Sequence, residues 1–169
     1  MRNLLALLAG LALLTLPSCG YRLGAAKPAV LRNVTKIAIP TFKNKTYQSG
    51  VEVLLADTTI KQFQQDGTYE IVSDDRADAI LYCTLENAER RQARAVLTNV
   101  LATREFNLRL EVQYELVDRV TGAKILNGTV NSTTSFFTNN DLQIDQQQAI
   151  VNGIQDIAVK LTGRISEGF

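Results

Sequence analysis

Three carboxylates, Asp74, Asp75 and Asp78, fall within five residues of one another and raise the question of general acid and base catalysis. That chemistry needs two carboxyl groups flanking a sugar at about 5 to 9.5 Å. Three acids crowded into one turn serve more simply as strand caps facing water. Cys83 lies in an alternating stretch, where it fits a small buried hydrophobe, and no imidazole exists to activate it because the chain has no His. The lack of His also removes the commonest zinc sites, and two Cys are too few for a thiolate cage. No catalytic residue and no metal ligand is expected. The basic residues Arg90, Arg91 and Arg94 gather around Glu89, with Arg104 across the following connection and Lys124 in the next hairpin. Guanidinium groups meet phosphate through paired hydrogen bonds, so this cluster suits an anionic ligand, although a solvated charged hairpin would look the same. The overall charge of +1 gives no long-range attraction for nucleic acid.

Cys19 has a different context. It follows a short positive start, Met1-Arg2-Asn3, and an apolar run from Leu4 to Leu16. Thirteen residues are too few for a helix that crosses about 30 Å of hydrocarbon, so the run fits the core of a secretory leader. Its end, Leu16-Pro17-Ser18-Cys19-Gly20, resembles the bacterial lipobox. Pro17 departs from the small or β-branched residue usual there and leaves both anchor positions intact. The resemblance implies removal of residues 1–18 and transfer of a diacylglycerol to the Cys19 thiol, with no other cofactor. Each buried methylene contributes about 0.8 kcal/mol, so two or three acyl chains hold a protein firmly at a membrane. Gly20, where lipoproteins kept at the inner membrane often carry Asp, favours the outer membrane. Loss of Arg2 leaves 17 basic against 17 acidic side chains. The N-x-[ST] triplets at Asn33, Asn44, Asn127 and Asn131 are taken as turn and strand residues.

These groups must be positioned by the remaining chain, about 150 residues, enough for one core. Residues 19–34 lack periodicity and are expected as a lipidated tether, with residues 35–169 as a single domain. Lys36–Ile39 reads as a short strand stopped by Pro40, followed by a polar turn at Lys43–Thr46. Val53, Ala56, Ile60 and Phe63 predict a helical stripe between Gly50 and Gln65, ended by Gly67 in a left-handed cap. Short strands are expected at Tyr69–Val72 and Ala79–Glu86. From Phe106 to Val117 the alternation is strict, with Arg109, Glu111 and Gln113 on the outer face. Thr121-Gly122 then turns the chain into a Thr- and Ser-rich strand from Ile125 to Phe137. Ile150, Ile154, Ile157, Ala158, Leu161 and Ile165 mark the apolar face of a final helix over 141–163, with Asn140 or Asp141 as its cap. Phe136, Phe137 and Tyr47 sit at element ends, where aromatics more often close a core than line a pocket. The simplest packing is an α+β two-layer sandwich. It has a mostly antiparallel or mixed sheet of four to five strands, with two helices on one face.

The start Cys19-Gly20-Tyr21-Arg22-Leu23, the stretch Ile37-Ala38-Ile39-Pro40-Thr41-Phe42-Lys43-Asn44-Lys45-Thr46, the pair Ala77-Asp78 and the final helix together resemble the lipopolysaccharide-assembly lipoprotein family, LptE. The resemblance spans essentially the whole chain after the leader. It implies a two-layer sandwich that plugs the lumen of a large outer-membrane barrel (LptD), helps it fold, and assists passage of lipopolysaccharide. Basic residues at strand tips are implicated in lipopolysaccharide contact in that family, which makes Arg90, Arg91, Arg94 and Lys124 the candidates here. A periplasmic activator of a cell-wall synthase is the alternative binding role. It would need a longer tether than about 15 residues, which span roughly 50 Å at most.

Overall fold

The computed structural model describes residues 27–94, 104–138 and 142–168. Strands β1 (Lys36–Ala38), β2 (Lys43–Asn44), β3 (Glu70–Ile71), β4 (Ala79–Arg94), β5 (Arg104–Asp118) and β6 (Lys124–Thr138) form one mixed sheet. Helices α1 (Val51–Asp66) and α2 (Leu142–Glu167) lie on one of its faces. The order across the sheet is β3-β1-β4-β5-β6, with β2 also paired to β4. β1 runs parallel to β3 and β4, whereas β4, β5 and β6 form an antiparallel meander. The sheet gains its sixth strand where a turn was expected. Lys43 and Asn44 pair in parallel with Thr84 and Leu85, five residues beyond the pairing of Ile37 and Ala38 with Ala79 and Ile80. β1 and β2 thus lie along the same side of β4 as one strand interrupted at Pro40, which has no N–H for the ladder.

The meander follows the alternation of β5. Leu108, Leu110, Val112, Tyr114 and Leu116 are buried on the helix side. Their β6 neighbours Thr134, Ser132, Val130, Gly128 and Leu126 continue that face. Gly128 is required by packing: a Cβ there would lie 2.8 Å from the Tyr114 hydroxyl, whose ring covers the position. The six apolar residues expected of the last helix are all buried. Gly153 lets α2 approach β5, since a Cβ there would lie 2.9 Å from Leu110 Cδ1.

Three further expectations are corrected. Val53 is 58% exposed, and the buried face of α1 is Val51, Leu55, Ala56, Thr59 and Phe63. Val51 and Leu55 offer an equally apolar helical spacing, and packing against the sheet and the last helix selects it over the stripe through Val53 and Ile60. The helix end agrees with the expectation, with Gly67 at φ 72° and its N–H donating to Phe63 O at 3.0 Å. β4 also runs eight residues past Glu86, its expected end. A bulge at Glu86 shifts the register, so Leu85 faces Val112 while Asn87 faces Glu111. The bulge inverts the side-chain parity, and the alternation that marks Leu81, Cys83 and Leu85 cannot be followed beyond it. The final stretch of the expected tether is also packed, with Leu31 fully buried in a 3-10 turn and Val34 nearly so. The proposed cap Asn140 or Asp141, Cys19 and the leader lie outside the described residues.

Candidate functional site

Of the three carboxylates expected in one turn, Asp78 is structural. Asp78 Oδ2 accepts hydrogen bonds from Thr35 N, Thr35 Oγ1 and Lys36 N, each at 2.9 Å. The backbone N–H groups of Thr35 and Lys36 hold its carboxyl below the usual range. Ala77-Asp78 therefore clamps β1 beside β4. Asn44 performs the equivalent task for α1. Its Nδ2 donates to Gln48 O at 2.8 Å and Glu52 Oε2 at 2.7 Å. Its Oδ1 accepts from Thr46 N and Thr46 Oγ1, both at 2.8 Å. Such an Asx turn gives the Asn-x-Thr triplet a folding role. The Ser73 hydroxyl lowers the carboxyl of Asp75. Cys83 is buried, and burial pushes its thiol up, away from the reactive thiolate. Neither Asp78 nor Cys83 is presented to a ligand.

The parity switch at Glu86 also decides which of the basic residues face the helices. Downstream of it Ala88, Arg90 and Gln92 point to the helix side, and Asn87, Glu89 and Arg91 point to the other. Arg90 Nη1 donates to Gln146 Oε1 of α2 at 2.5 Å, and its guanidinium lies 5.3 Å from the Phe106 ring centre. Phe106 in turn stacks on Phe136 at 5.6 Å, so Arg90 and two aromatics close that end of the core. Arg91 Nε donates to Glu89 Oε1 at 2.8 Å on the opposite face, which holds the Glu89 carboxyl low. Arg94 pairs through its backbone with Glu105 near the same tip. Lys124 does not join them. It opposes Val117, ten positions along β5 from the Asn107 that opposes Arg91, a separation of roughly 30 Å. There its Nζ pairs with Glu115 Oε1 at 2.6 Å. Phe136 is a core residue, whereas Phe137 and Tyr47 are exposed.

What the strands do build is a broad face that carries no helix among the described residues. Asn107, Arg109, Glu111, Gln113 and Glu115 of β5 stand beside Ser135, Thr133, Asn131, Thr129 and Asn127 of β6. Its charges are matched locally. Arg91 pairs with Glu89, Arg109 lies 3.5 Å from Glu111, and Lys124 pairs with Glu115. Ser135 Oγ donates to Asn107 Oδ1 at 2.7 Å. Below the break at Pro40 this face deepens into an open cleft of about 430 Å³. Pro40, Lys43, Tyr82, Gln113, Glu115 and Lys124 contribute to its lining. The strict alternation in β5 marked half of this face. Nothing in the sequence foretold that the Pro40 break would open a cleft beside Tyr82. Among the described residues no helix is long and apolar enough to cross a membrane.

A mixed sheet backed by two helices on one face, with a wide hydrogen-bonding face on the other, defines the α+β sandwich class. The model of the lipopolysaccharide-assembly family, LptE, matches residues 34–165. The chain belongs to that family of non-enzymatic cell-envelope lipoproteins. No curated protein matches the sequence. Among solved structures, the chain is similar to a neuraminyllactose-binding hemagglutinin homolog from Helicobacter pylori, with 9% identity and a TM-score of 0.59 over 88% of this chain and 90% of that one. A minor lipoprotein from Acinetobacter baumannii shares 20% identity, with a TM-score of 0.50 over 80% of this chain and 95% of that one. A lipoprotein from Caulobacter crescentus shares 14% identity, with a TM-score of 0.50 over 75% and 88%. At these identities the likeness is one of fold.

Proposed function

We propose that this protein is a lipid-anchored plug of the lipopolysaccharide-assembly barrel (LptD) on the periplasmic side of the outer membrane, where it assists lipopolysaccharide passage. The observation that carries the reading is the helix-free face of β4, β5 and β6. Each strand is 15 or 16 residues long, about 50 Å, and the face is rich in Asn, Gln, Thr and Ser. A barrel lumen is polar and wet. A protein that fills it needs many hydrogen-bonding groups and few unmatched charges, because an unpaired charge taken out of water is costly. The paired ions of the open face meet both conditions.

In this reading residues 1–18 are removed and Cys19 carries the lipid, the only attached group. From Cys19 to Lys27 the chain spans at most about 30 Å. That keeps the domain against the membrane holding the anchor and disfavours a synthase partner in the opposite membrane. Arg90, Arg91 and Arg94 at one end of the sheet, and Lys124 at the other, are the proposed contacts for lipopolysaccharide phosphates. The test is co-purification from detergent-solubilised outer membrane. The wild type should bring down the barrel and carry a lipidated N-terminal peptide by mass spectrometry. Gln113→Lys/Asn131→Lys on the open face should lose the barrel while keeping its melting temperature. Retention of the barrel by that variant would remove the open face from the interface, and an unmodified Cys19 would remove the anchor.

A further inference from the structure

The last strand of the sheet has no neighbour on its outer side among the described residues. From Ile125 to Thr138 it carries no charge and no proline, the usual devices that stop an edge from pairing. One contact shows which of its groups face outward. Lys160 Nζ of α2 donates to Asn131 O at 2.9 Å, so that carbonyl is turned away from β5. Residues two apart share this orientation, so Thr129, Asn131, Thr133 and Ser135 turn their N–H and C=O groups to this edge, where the exposed Lys160 ammonium already shares the Asn131 carbonyl.

Beside this edge lies a groove of about 420 Å³ lined by Thr129, Val130, Asn131, Lys160, Gly163 and Arg164. Gly163 has no role within the fold. Its φ is not positive, and a Cβ placed there would meet nothing within 4 Å. The other interior glycine of α2, Gly153, is pressed against Leu110. Glycine inside a helix is unfavourable relative to alanine, so a glycine facing open space marks a place where something outside the chain must approach closely. Arg164 next to it is exposed and makes no ion pair among the described residues, whereas Lys160 is paired with Asp156 at 2.6 Å.

We infer that β6 accepts an extended segment of another polypeptide as a seventh strand. This segment lies in the groove between β6 and the last turns of α2, with its backbone over Gly163 and a carboxylate side chain at Arg164. The unmatched cation selects an acidic segment over a second copy of this chain, because β6 itself offers no carboxylate. The site uses the edge of the sheet and not its open face, so it stands apart from the barrel-plug reading.

The test uses the full chain in detergent micelles with two synthetic peptides, acetyl-Thr-Val-Thr-Glu-Val-Thr-Val-amide and its Lys counterpart. Amide hydrogen exchange is followed by NMR. The Glu peptide should slow exchange at Thr129, Asn131 and Thr133 by about tenfold, leaving the even-numbered amides already protected by β5 unchanged. The Lys peptide should bind about threefold more weakly or worse. Gly163→Leu should abolish the effect while melting no lower than wild type, since its side chain enters open space and improves the helix. Equal protection in Gly163→Leu, protection without preference for Glu, or no protection on β6 would each overturn the inference. So would slow exchange at these amides without peptide in a chain that sediments as a dimer, which would assign the edge to self-association.

Discussion

Replacing Asp78 by Ala removes one carboxylate that holds Thr35 and Lys36 in place through three hydrogen bonds of 2.9 Å. Fully desolvated bonds to a charged group contribute about 1.5 to 3 kcal/mol each. Water reaches this carboxylate, so each bond falls below that range, to about 1 kcal/mol or less. The freed N–H groups are also partly hydrated, which gives a loss of about 2 to 3 kcal/mol in all. Urea unfolding at pH 7 should show that loss as a lower midpoint with an unchanged slope. The pH dependence supplies an independent check. The Asp78 pKa is lowered in the folded chain, so its contribution is fully present above the unfolded value near 3.9 and disappears as pH falls through the folded value. The gap between wild type and Asp78→Ala should therefore be constant from pH 7 down to about 5 and close progressively below about 4. A gap that persists at pH 2 would mean that the carboxylate charge is not what clamps β1. Equal midpoints at pH 7 would refute the clamp itself.

Asn44→Ala should cost about 1 to 3 kcal/mol and slow formation of α1 least at its Gly67 end, measurable by urea unfolding and amide exchange. Leu110→Ala should lower stability by about 2 to 5 kcal/mol, whereas Gln113→Ala on the opposite face should stay within about 0.5 kcal/mol. Equal shifts in calorimetry would reverse the assigned faces. The Cys83 thiol should react with a thiol reagent only as fast as the domain opens, so its labelling rate should track unfolding in denaturant. Arg90→Glu should lower the melting temperature by losing Phe106 and Gln146, whereas Arg91→Glu should leave the melt unchanged. A lipopolysaccharide-binding assay on both variants then separates a lost phosphate contact from a lost core closure.

The strongest patterns in the chain were also those that packing left undisturbed. Phe106 to Val117 alternates without interruption, and Ile150 to Ile165 keeps one helical face, so β5 and α2 could be read directly from residue types. β4 could not, because its alternation changes phase at Glu86 and periodicity has no means of announcing a bulge. Arg90 and Arg91 face opposite sides as neighbours in any strand do, and the same event decides that Arg90 is the one that meets the helices. β2 is two residues long, below what any periodic signal can mark, and is held by its position next to β4 after the Pro40 break. The Asn44 and Asp78 side chains carried recognisable patterns, but their partners Glu52, Thr35 and Lys36 are assigned only by the folded arrangement.

The phase change in β4 lets that strand carry one residue more than its partner while keeping its two faces. Glu86 is the extra residue, so deleting it would restore a one-to-one ladder with Leu85 still opposite Val112 and Asn87 still opposite Glu111. Ala88 and Arg90 would stay on the helix side, and Glu89 and Arg91 on the open face. A lost codon at this position would thus straighten the strand and relax its local twist without exchanging inner and outer surfaces. The same loss inside the regular ladder of β5 would put every residue beyond it on the wrong face, so the bulge is where this sheet absorbs a change of length.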